Sequence, residues 1–245
     1  MTPRYTPLPE IAALQADIEA HSNEHLNKPV ARIATREINR TLIDAGESAM
    51  GDLIADAQLH ATRALGAQVA LTNLGGIRTD LMLEPGQQHL NYGQVASVQP
   101  FNNTLNILTL SGAQLKQLLE QQWQNNGFGF YPLQPSATLS YRWDASRPQG
   151  QRIIADSLKI DGKPVLPEQT YRITVNSFMA GGGDNFSVLN QASQRVDTGL
   201  NDLQALVDYL QAQDRAGQPA GASTPQQRIE KVAQTLADVT ASNAP

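Results

Sequence analysis

The chain contains no cysteine, few aromatic residues and no long apolar run. Its 245 residues include 5 Phe and 2 Trp. The missing cysteine excludes disulfides, cysteine-ligated zinc, iron–sulfur clusters and thiol nucleophiles. No apolar stretch approaches the roughly 18 residues that a membrane helix requires, so we expect no membrane span. The first residues lack a basic segment followed by an apolar one, so no signal peptide is expected within this sequence.

Basic residues are sparse as well. The chain has 18 Lys and Arg against 23 Asp and Glu, which gives a formal net charge of -5. The basic residues are scattered, whereas a protein that follows nucleic-acid phosphates needs a basic stripe. We therefore expect a small-molecule ligand rather than a nucleic-acid polymer. The hydrophobic fraction of 40% is enough to fill the core of one large domain or two small ones.

The hydrophobic periodicity indicates a mixture of helices and strands. Helical spacing predicts a largely solvated helix at the amino-terminal edge, suited to be a connector. The predicted helices cover residues 9–26, about 16 residues from Met50, 112–123, 201–211 and 224–239, the last with Pro225 in its first turn. The predicted strands cover residues 30–38, 69–72, 104–110, 137–143, 153–160 and 170–176. Asp161-Gly162 predicts a hairpin turn from residues 153–160 into 163–166. The pattern favours an α/β (α+β) fold with mixed sheets and flanking helices.

The common catalytic signatures are missing. The sequence has no P-loop, no dinucleotide-binding Gly-x-Gly-x-x-Gly and no Gly-x-Ser-x-Gly elbow. His21 and His25 are four residues apart, which is a metal-ligand spacing, but no carboxylate pattern accompanies them. A solvated surface pair is the better interpretation of these two residues.

Two glycine-rich turns each follow a predicted strand. The first, residues 73–78, reads NLGGIR. Its glycines, Gly76 among them, would let the backbone approach a ligand closely. Asn73 can donate and accept hydrogen bonds, and Arg78 offers a planar fork for phosphate, carboxylate or ribose oxygens. A tight turn with a surface arginine is an equally good interpretation of this segment alone.

The second turn carries three consecutive glycines that end at Gly183. It covers residues 176–186, NSFMAGGGDNF, with Phe178 before the glycines and Asp184 after them. Residues 99–103, QPFNN, place Phe101 before another strand. Aromatic residues at loop edges indicate stacking on a planar ligand such as a base. Each phenylalanine taken alone is more often a core residue.

Four segments in this order resemble the C-terminal, substrate-specificity domain of the 5'-nucleotidase family, which includes UDP-sugar hydrolases and cyclic-nucleotide phosphodiesterases. The resemblance covers roughly residues 30–210. The segments are residues 47–57 (ESAMGDLIADA), 72–78 (TNLGGIR), 99–103 (QPFNN) with 110–112 (LSG), and 171–176 (YRITVN) through 182–186 (GGDNF).

The resemblance implies an α-β-β-α layered domain that closes over the base and ribose of a nucleotide. It implies that Phe101 and Phe178 sandwich the base and that Asn73 and Asp184 hydrogen bond to the base or ribose. Arg78 would contact the ribose or phosphate side. A metallophosphatase domain of the same polypeptide, on the amino-terminal side, would hold a pair of divalent metals.

The chain departs from the family pattern in two ways. Members often carry an arginine in the loop that corresponds to residues 41–48, where this chain has none, although Arg36 and Arg40 lie just upstream. The metallophosphatase signatures Asp-x-His and Gly-Asn-His-Asp/Glu occur nowhere in the sequence. We therefore expect no metal ligands and no catalytic residues in this chain.

The resulting hypothesis divides the chain into a linker helix, residues 1–28, and a nucleotide-binding domain, residues 29–245. The parent protein is expected to be a periplasmic or secreted hydrolase whose metals and catalytic residues lie in its other domain. Two alternatives stay open at this point. One is a stand-alone nucleotide-binding or scaffold protein without catalysis, and the other is a self-sufficient enzyme with an unrecognised site.

Overall fold

The computed structural model describes residues 8–123 and 129–232. The α-helices of these residues are α1 (Pro9–Leu26), α2 (Ala49–Arg63), α3 (Tyr92–Val98), α4 (Gly112–Glu120), α5 (Ser177–Ala180) and α6 (Asp202–Arg215). The strands are β1 (Pro29–Ala31), β2 (Glu37–Ile38), β3 (Val69–Thr72), β4 (Leu81–Met82), β5 (Leu90–Asn91), β6 (Thr104–Ser111), β7 (Gln134–Pro135), β8 (Leu139–Trp143), β9 (Lys159–Ile160), β10 (Lys163–Pro164), β11 (Thr170–Asn176), β12 (Gln194–Asn201) and β13 (Ile229–Lys231).

The largest sheet has five strands in the order β12-β6-β11-β3-β7. Strand β11 pairs antiparallel with β6 along its whole length and parallel with β3. All four residues of β3 are buried, as expected for an apolar strand covered on both faces. Since β3 and β11 run in the same direction, the segments that follow them leave the sheet at the same edge.

Helices and a second sheet cover the two faces of the five-stranded sheet. On one face α2 packs through Leu59 against Ala70 and Ile107. On the other face a larger core includes α4 and a second sheet, with strand order β10-β9-β8-β13. A further core lies between α2 and α6 and the two-stranded ribbons β1–β5 and β2–β4. The predicted mixed α/β fold with mixed sheets and flanking helices is confirmed.

Two predicted strands are shorter than the sequence suggested. Residues 30–38 form two strands, because β1 pairs with β5 while β2 pairs with β4. Of residues 153–160, only Lys159–Ile160 forms a strand, and a 3-10 turn occupies Ala155–Ser157. The Asp161-Gly162 hairpin is confirmed, with Ile160 opposite Lys163. Apolar residues in these segments are buried without a continuous strand partner.

The predicted helix over residues 224–239 is wrong within the described residues. Ile229–Lys231 is a strand that pairs parallel with β8, and residues 233–239 lie outside the described residues. Arg228 joins this segment to α2, because its guanidinium donates to both carboxylate oxygens of Asp56 and to the backbone carbonyl of Asp52. Helix α3 and strand β12 were not predicted. Strand β12 is mostly exposed and lacks the alternating apolar pattern by which a strand is recognised.

The described residues include no helix that combines the length and the apolar character needed to cross a bilayer.

Candidate functional site

The first turn of the candidate site begins where β3 ends. Asn73 follows Thr72 and lies beside Asn176, the last residue of β11, because the two strands are parallel neighbours. The Asn176 Nδ2 donates to the Asn73 Oδ1 at 3.0 Å. A 3-10 turn over Leu74–Gly76 follows. A side chain at Gly76 would meet the Asn73 Oδ1 at 3.0 Å, so this position favours glycine.

The second turn begins with α5 at the end of β11. The Asn176 side chain caps this helix by accepting a hydrogen bond from the Met179 N–H at 2.9 Å. Phe178, the second residue of α5, is 51% exposed, which is unusual for a large apolar side chain. The chain then passes through left-handed backbone at Gly182 (φ 84°), Asp184 (φ 54°) and Asn185 (φ 62°). A loop of this shape places the Asp184 carboxylate within 2.6 Å of the Asn73 Nδ2, which donates to it.

The third segment precedes β6. Because β6 is antiparallel to β11, its first residues lie next to the last residues of β11, with Leu105 opposite Asn176. The Ser177 hydroxyl donates to the Asn103 Oδ1 at 3.1 Å and so joins this segment to α5. Phe101 is 49% exposed at the same edge of the sheet.

These three segments surround one cavity of about 310 Å³. Its walls combine the two exposed phenylalanine rings with three asparagine side chains and two glycines of the first turn. The lining residues are Asn73, Gly75, Gly76, Phe101, Asn103, Asn176 and Phe178. A concave site with apolar walls and a few fixed polar groups suits a small planar ligand.

The structure brings the seven predicted site residues together at this edge. Four of them line the cavity itself, and the other three each contact one that does. The Arg78 guanidinium carbon lies 5.6 Å from the Phe101 ring centroid, a cation–π distance. Asp184 binds Asn73, as described above, and Gly183 packs directly under the Phe178 ring.

A methyl group at Gly183 should displace the Phe178 ring. A side-chain carbon built there would lie 2.5 to 2.6 Å from three atoms of that ring. We expect Gly183→Ala to lower affinity for any ligand that stacks on Phe178, by about 1 kcal/mol or more. The thermal midpoint should change little, because the ring is half exposed. Gly181→Ala is the matched control, since its added carbon comes no closer than 3.4 Å to a neighbouring atom. Equal affinities of the two variants would contradict the expectation.

Arg36 and Arg40, the two arginines upstream of the loop, contact different parts of the protein. Arg40 lines a neighbouring cavity of about 410 Å³ together with Leu74 and Ile77 of the first turn. Its Nη1 donates to the Ile77 carbonyl at 3.3 Å. Arg36 points elsewhere, with its Nη2 donating to the Leu83 carbonyl at 3.4 Å. Of the two, Arg40 is the one whose charge is near the glycine turn.

Tyr131 belongs to the site and was not predicted. Its hydroxyl lies beside the Gly75 backbone and the Asp184 carboxylate. Burial and the negative charge of Asp184 raise the pKa of Tyr131 to about 12, so the hydroxyl keeps its proton and can donate it. Nothing in the sequence around Tyr131 shows which residues its side chain contacts.

The residues 8–123 and 129–232 contain no cluster of three or more His, Asp or Glu side chains arranged to hold a metal ion. His25 packs its ring against Tyr92, with 4.5 Å between ring centroids.

Comparison with known proteins gives a consistent set of relatives. The family model described as "5'-nucleotidase, C-terminal domain" matches residues 25–191. Cell wall protein Lmo0130 of Listeria monocytogenes serovar 1/2a is 32% identical over 238 residues, which cover 92% of this chain and 30% of that protein. Trifunctional nucleotide phosphoesterase protein YfkN of Bacillus subtilis (strain 168) is 33% identical over 208 residues, which cover 82% of this chain and 14% of that protein.

Solved structures show the same likeness. A 5'-nucleotidase precursor from Thermus thermophilus has a TM-score of 0.73 and 32% identity over 92% of this chain and 43% of that one. The NAD nucleotidase of Haemophilus influenzae, at 19% identity and a TM-score of 0.69 over 92% of this chain and 42% of that one, shares the fold. The chain spans less than half the length of each of these relatives.

Proposed function

Because this chain belongs to the family of 5'-nucleotidase C-terminal domains, we propose that it recognises the base and ribose of a nucleotide for a nucleotidase-type hydrolase. The observation that carries this proposal is the pair of half-exposed rings, Phe101 and Phe178, on one cavity of about 310 Å³. Aromatic rings exposed at a cavity mouth provide stacking surfaces that accept any base.

The polar residues around the cavity suit the sugar and the phosphate. The Asp184 carboxylate can only accept hydrogen bonds, and ribose hydroxyls are donors that fit it. Asn73 supplies an amide next to this carboxylate. Arg78 extends over the Phe101 ring, and its guanidinium fits phosphate or ribose oxygens. Arg40, on the other side of the glycine turn, is a second cation for a phosphate.

Hydrolysis is assigned in this proposal to a different part of a longer polypeptide. The relatives are much longer than the segment they share with this chain, which leaves room in them for a further domain. We assign the divalent metal pair and the phosphoryl chemistry to a metallophosphatase domain, with residues 1–28 as the linker and residues 29–245 as the binding domain. Helix α1 fits a linker because Ile11, Leu14 and Ile18 are all exposed. A periplasmic or secreted location accords with the cell wall protein among the relatives.

Loss of either ring should weaken nucleoside binding. We expect the chain to bind adenosine, AMP and UMP weakly, with a dissociation constant of about 0.1 mM or higher. Phe101→Ala and Phe178→Ala should each cost about 1 to 3 kcal/mol, since each removes one stacking surface. Isothermal titration calorimetry, or NMR shifts during titration, measures both effects.

The matched control is Leu166→Ala. Leu166 is 56% exposed near the opposite end of β6 and β11, so its loss should leave binding unchanged. If neither phenylalanine variant differs from this control, the base-stacking assignment is wrong. Steady release of phosphate from AMP by this chain alone, with added manganese or zinc, would instead favour a self-sufficient enzyme.

A further inference from the structure

The Tyr131 hydroxyl connects the two glycine turns of the candidate site. Its oxygen lies between Gly75 of the first turn and the Asp184 carboxylate of the second, and both groups act on its pKa. The hydroxyl oxygen and the Asp184 Oδ2 lie 3.0 and 3.5 Å from one point, the position that a side-chain carbon on Gly75 would occupy. The backbone of Tyr131 is also held in place, because its N–H donates to the Gln122 carbonyl at 2.8 Å.

The hydrogen bonds that lead to Asp184 have only one possible direction. The Met179 N–H must donate, so the Asn176 oxygen faces it and the Asn176 Nδ2 faces Asn73. The Asn73 oxygen therefore accepts, and its Nδ2 donates to the Asp184 carboxylate. An ionised carboxylate accepts only, which gives the same orientation from the other end. A carboxylate has no proton to give, so in a hydrogen bond between Tyr131 and Asp184 the Tyr131 hydroxyl is the donor.

Asp184 needs such fixed partners because its backbone is strained. Asp184 has φ 54° and the next residue, Asn185, has φ 62°. Two consecutive non-glycine residues in the left-handed region each cost free energy, and they persist where surrounding contacts determine them. The hydrogen bond from Asn73 and the neighbouring Tyr131 hydroxyl are contacts of that kind.

We infer that Tyr131 is a positioning residue, which fixes the Asp184 carboxylate beside Asn73 so that the carboxylate accepts hydrogen bonds from the vicinal hydroxyls of a bound ribose. This inference rests on the proposed function for its ligand. It makes Tyr131 a determinant of the preference for ribonucleosides over nucleosides without the two hydroxyls. Tyr131 itself does not line the cavity.

The test compares two ligands on Tyr131→Phe. Adenosine offers both ribose hydroxyls to Asp184, whereas 2',3'-dideoxyadenosine offers neither. We expect Tyr131→Phe to weaken adenosine binding by about 5- to 30-fold, the effect of losing one hydrogen bond to a charged group. Binding of 2',3'-dideoxyadenosine should stay within about two-fold of wild type, because the stacking rings are untouched. An equal loss for both ligands, or for neither, would overturn the inference.

A double-mutant cycle with Asp184→Asn shows whether Tyr131 acts through Asp184. Tyr131→Phe should have no further effect on adenosine binding once Asp184 is replaced, since the carboxylate is then gone. Additive losses would contradict a role through Asp184.

A measurement without ligand separates this inference from the proposed function. The NMR signals of the Asn73 side-chain amide should shift in Tyr131→Phe and in Asp184→Asn, because both changes disturb the group to which that amide donates. Unchanged signals in Tyr131→Phe would overturn the positioning role. If the signals shift but wild-type protein binds no nucleoside, the proposed function fails while the hydrogen-bond arrangement stands.

Discussion

Replacing Arg228 by methionine is expected to lower the free energy of unfolding by about 3 to 5 kcal/mol. Arg228 is only 7% exposed. Its guanidinium donates to both oxygens of Asp56, at 3.0 and 2.6 Å, and to the Pro135 carbonyl at 2.7 Å. Methionine keeps the length of the apolar stem but leaves these acceptors without their donors. A buried ion pair that loses one partner is strongly destabilised for that reason.

Urea unfolding of the wild type and two variants measures this effect. Arg142→Met is the matched control, because Arg142 pairs with Glu230 at 3.3 Å while both side chains are about half exposed or more. An exposed pair of this kind should contribute less than about 1 kcal/mol. Similar losses in the two variants would contradict the importance of burial at Arg228. A smaller loss in Arg228→Lys would show that charge alone restores part of the stability.

The contacts of Arg228 also explain why the sequence pattern predicted a helix over residues 224–239. The apolar residues after Pro225 are compatible with a helix on spacing alone. Arg228 meets Asp56 across 172 residues of sequence, and no local pattern reveals such a contact. The contact favours extended backbone, and Ile229–Lys231 then completes the edge of the second sheet beside β8.

The position of the candidate site was more predictable than the contacts within it. Asn73 and Phe178 each follow a predicted strand at a glycine-rich turn, and Phe101 precedes another strand. Local sequence predicts those places because glycine runs and strand ends are local features. The sheet order that brings the three segments to one edge depends on long-range pairing of β6, β11 and β3. Tyr131 was missed for the same reason, since its partners Gly75 and Asp184 lie on separate turns.

The contribution of Asp52 to the free energy of unfolding should fall as the pH rises from about 4 to about 8. Burial raises the pKa of Asp52 from its ordinary value of 3.8 to about 8, against the opposing charge of Arg228 and with the help of nearby Glu47. The folded state therefore holds a proton that the unfolded chain has released, and raising the pH removes this stabilisation. One such group contributes a slope of up to about 1.4 kcal/mol per pH unit between the two pKa values.

The contacts of Asp52 indicate that this proton lies between its carboxyl group and that of Glu47. Asp52 is 4% exposed, and its Oδ2 accepts from the Gln226 N–H at 2.8 Å. The carboxyl group of Glu47 lies beside that of Asp52, and the two can share a hydrogen bond only if a proton lies between them. The Glu47 Oε2 is already occupied by the Ile229 N–H at 2.8 Å. A protonated Asp52 thus satisfies a buried oxygen of Glu47 that would otherwise lack a donor.

Asparagine at position 52 should imitate the protonated carboxyl group. Its Nδ2 can donate to Glu47 while its Oδ1 accepts from Gln226, and it carries no charge to be desolvated. We therefore expect Asp52→Asn to flatten the dependence of unfolding free energy on pH between about 4 and 8 and to be more stable than wild type at about pH 8 to 9. Urea unfolding across this range measures the free energy of unfolding of the variant relative to wild type. The effects of the carboxyl groups that both proteins share cancel in this comparison. Asp44→Asn is the control, because the Asp44 side chain is 84% exposed where it meets Lys231. The control should follow the wild-type curve at every pH. If Asp52→Asn also follows it, the expectation is wrong, and Asp52 is ionised in the folded protein with its negative charge balanced by Arg228.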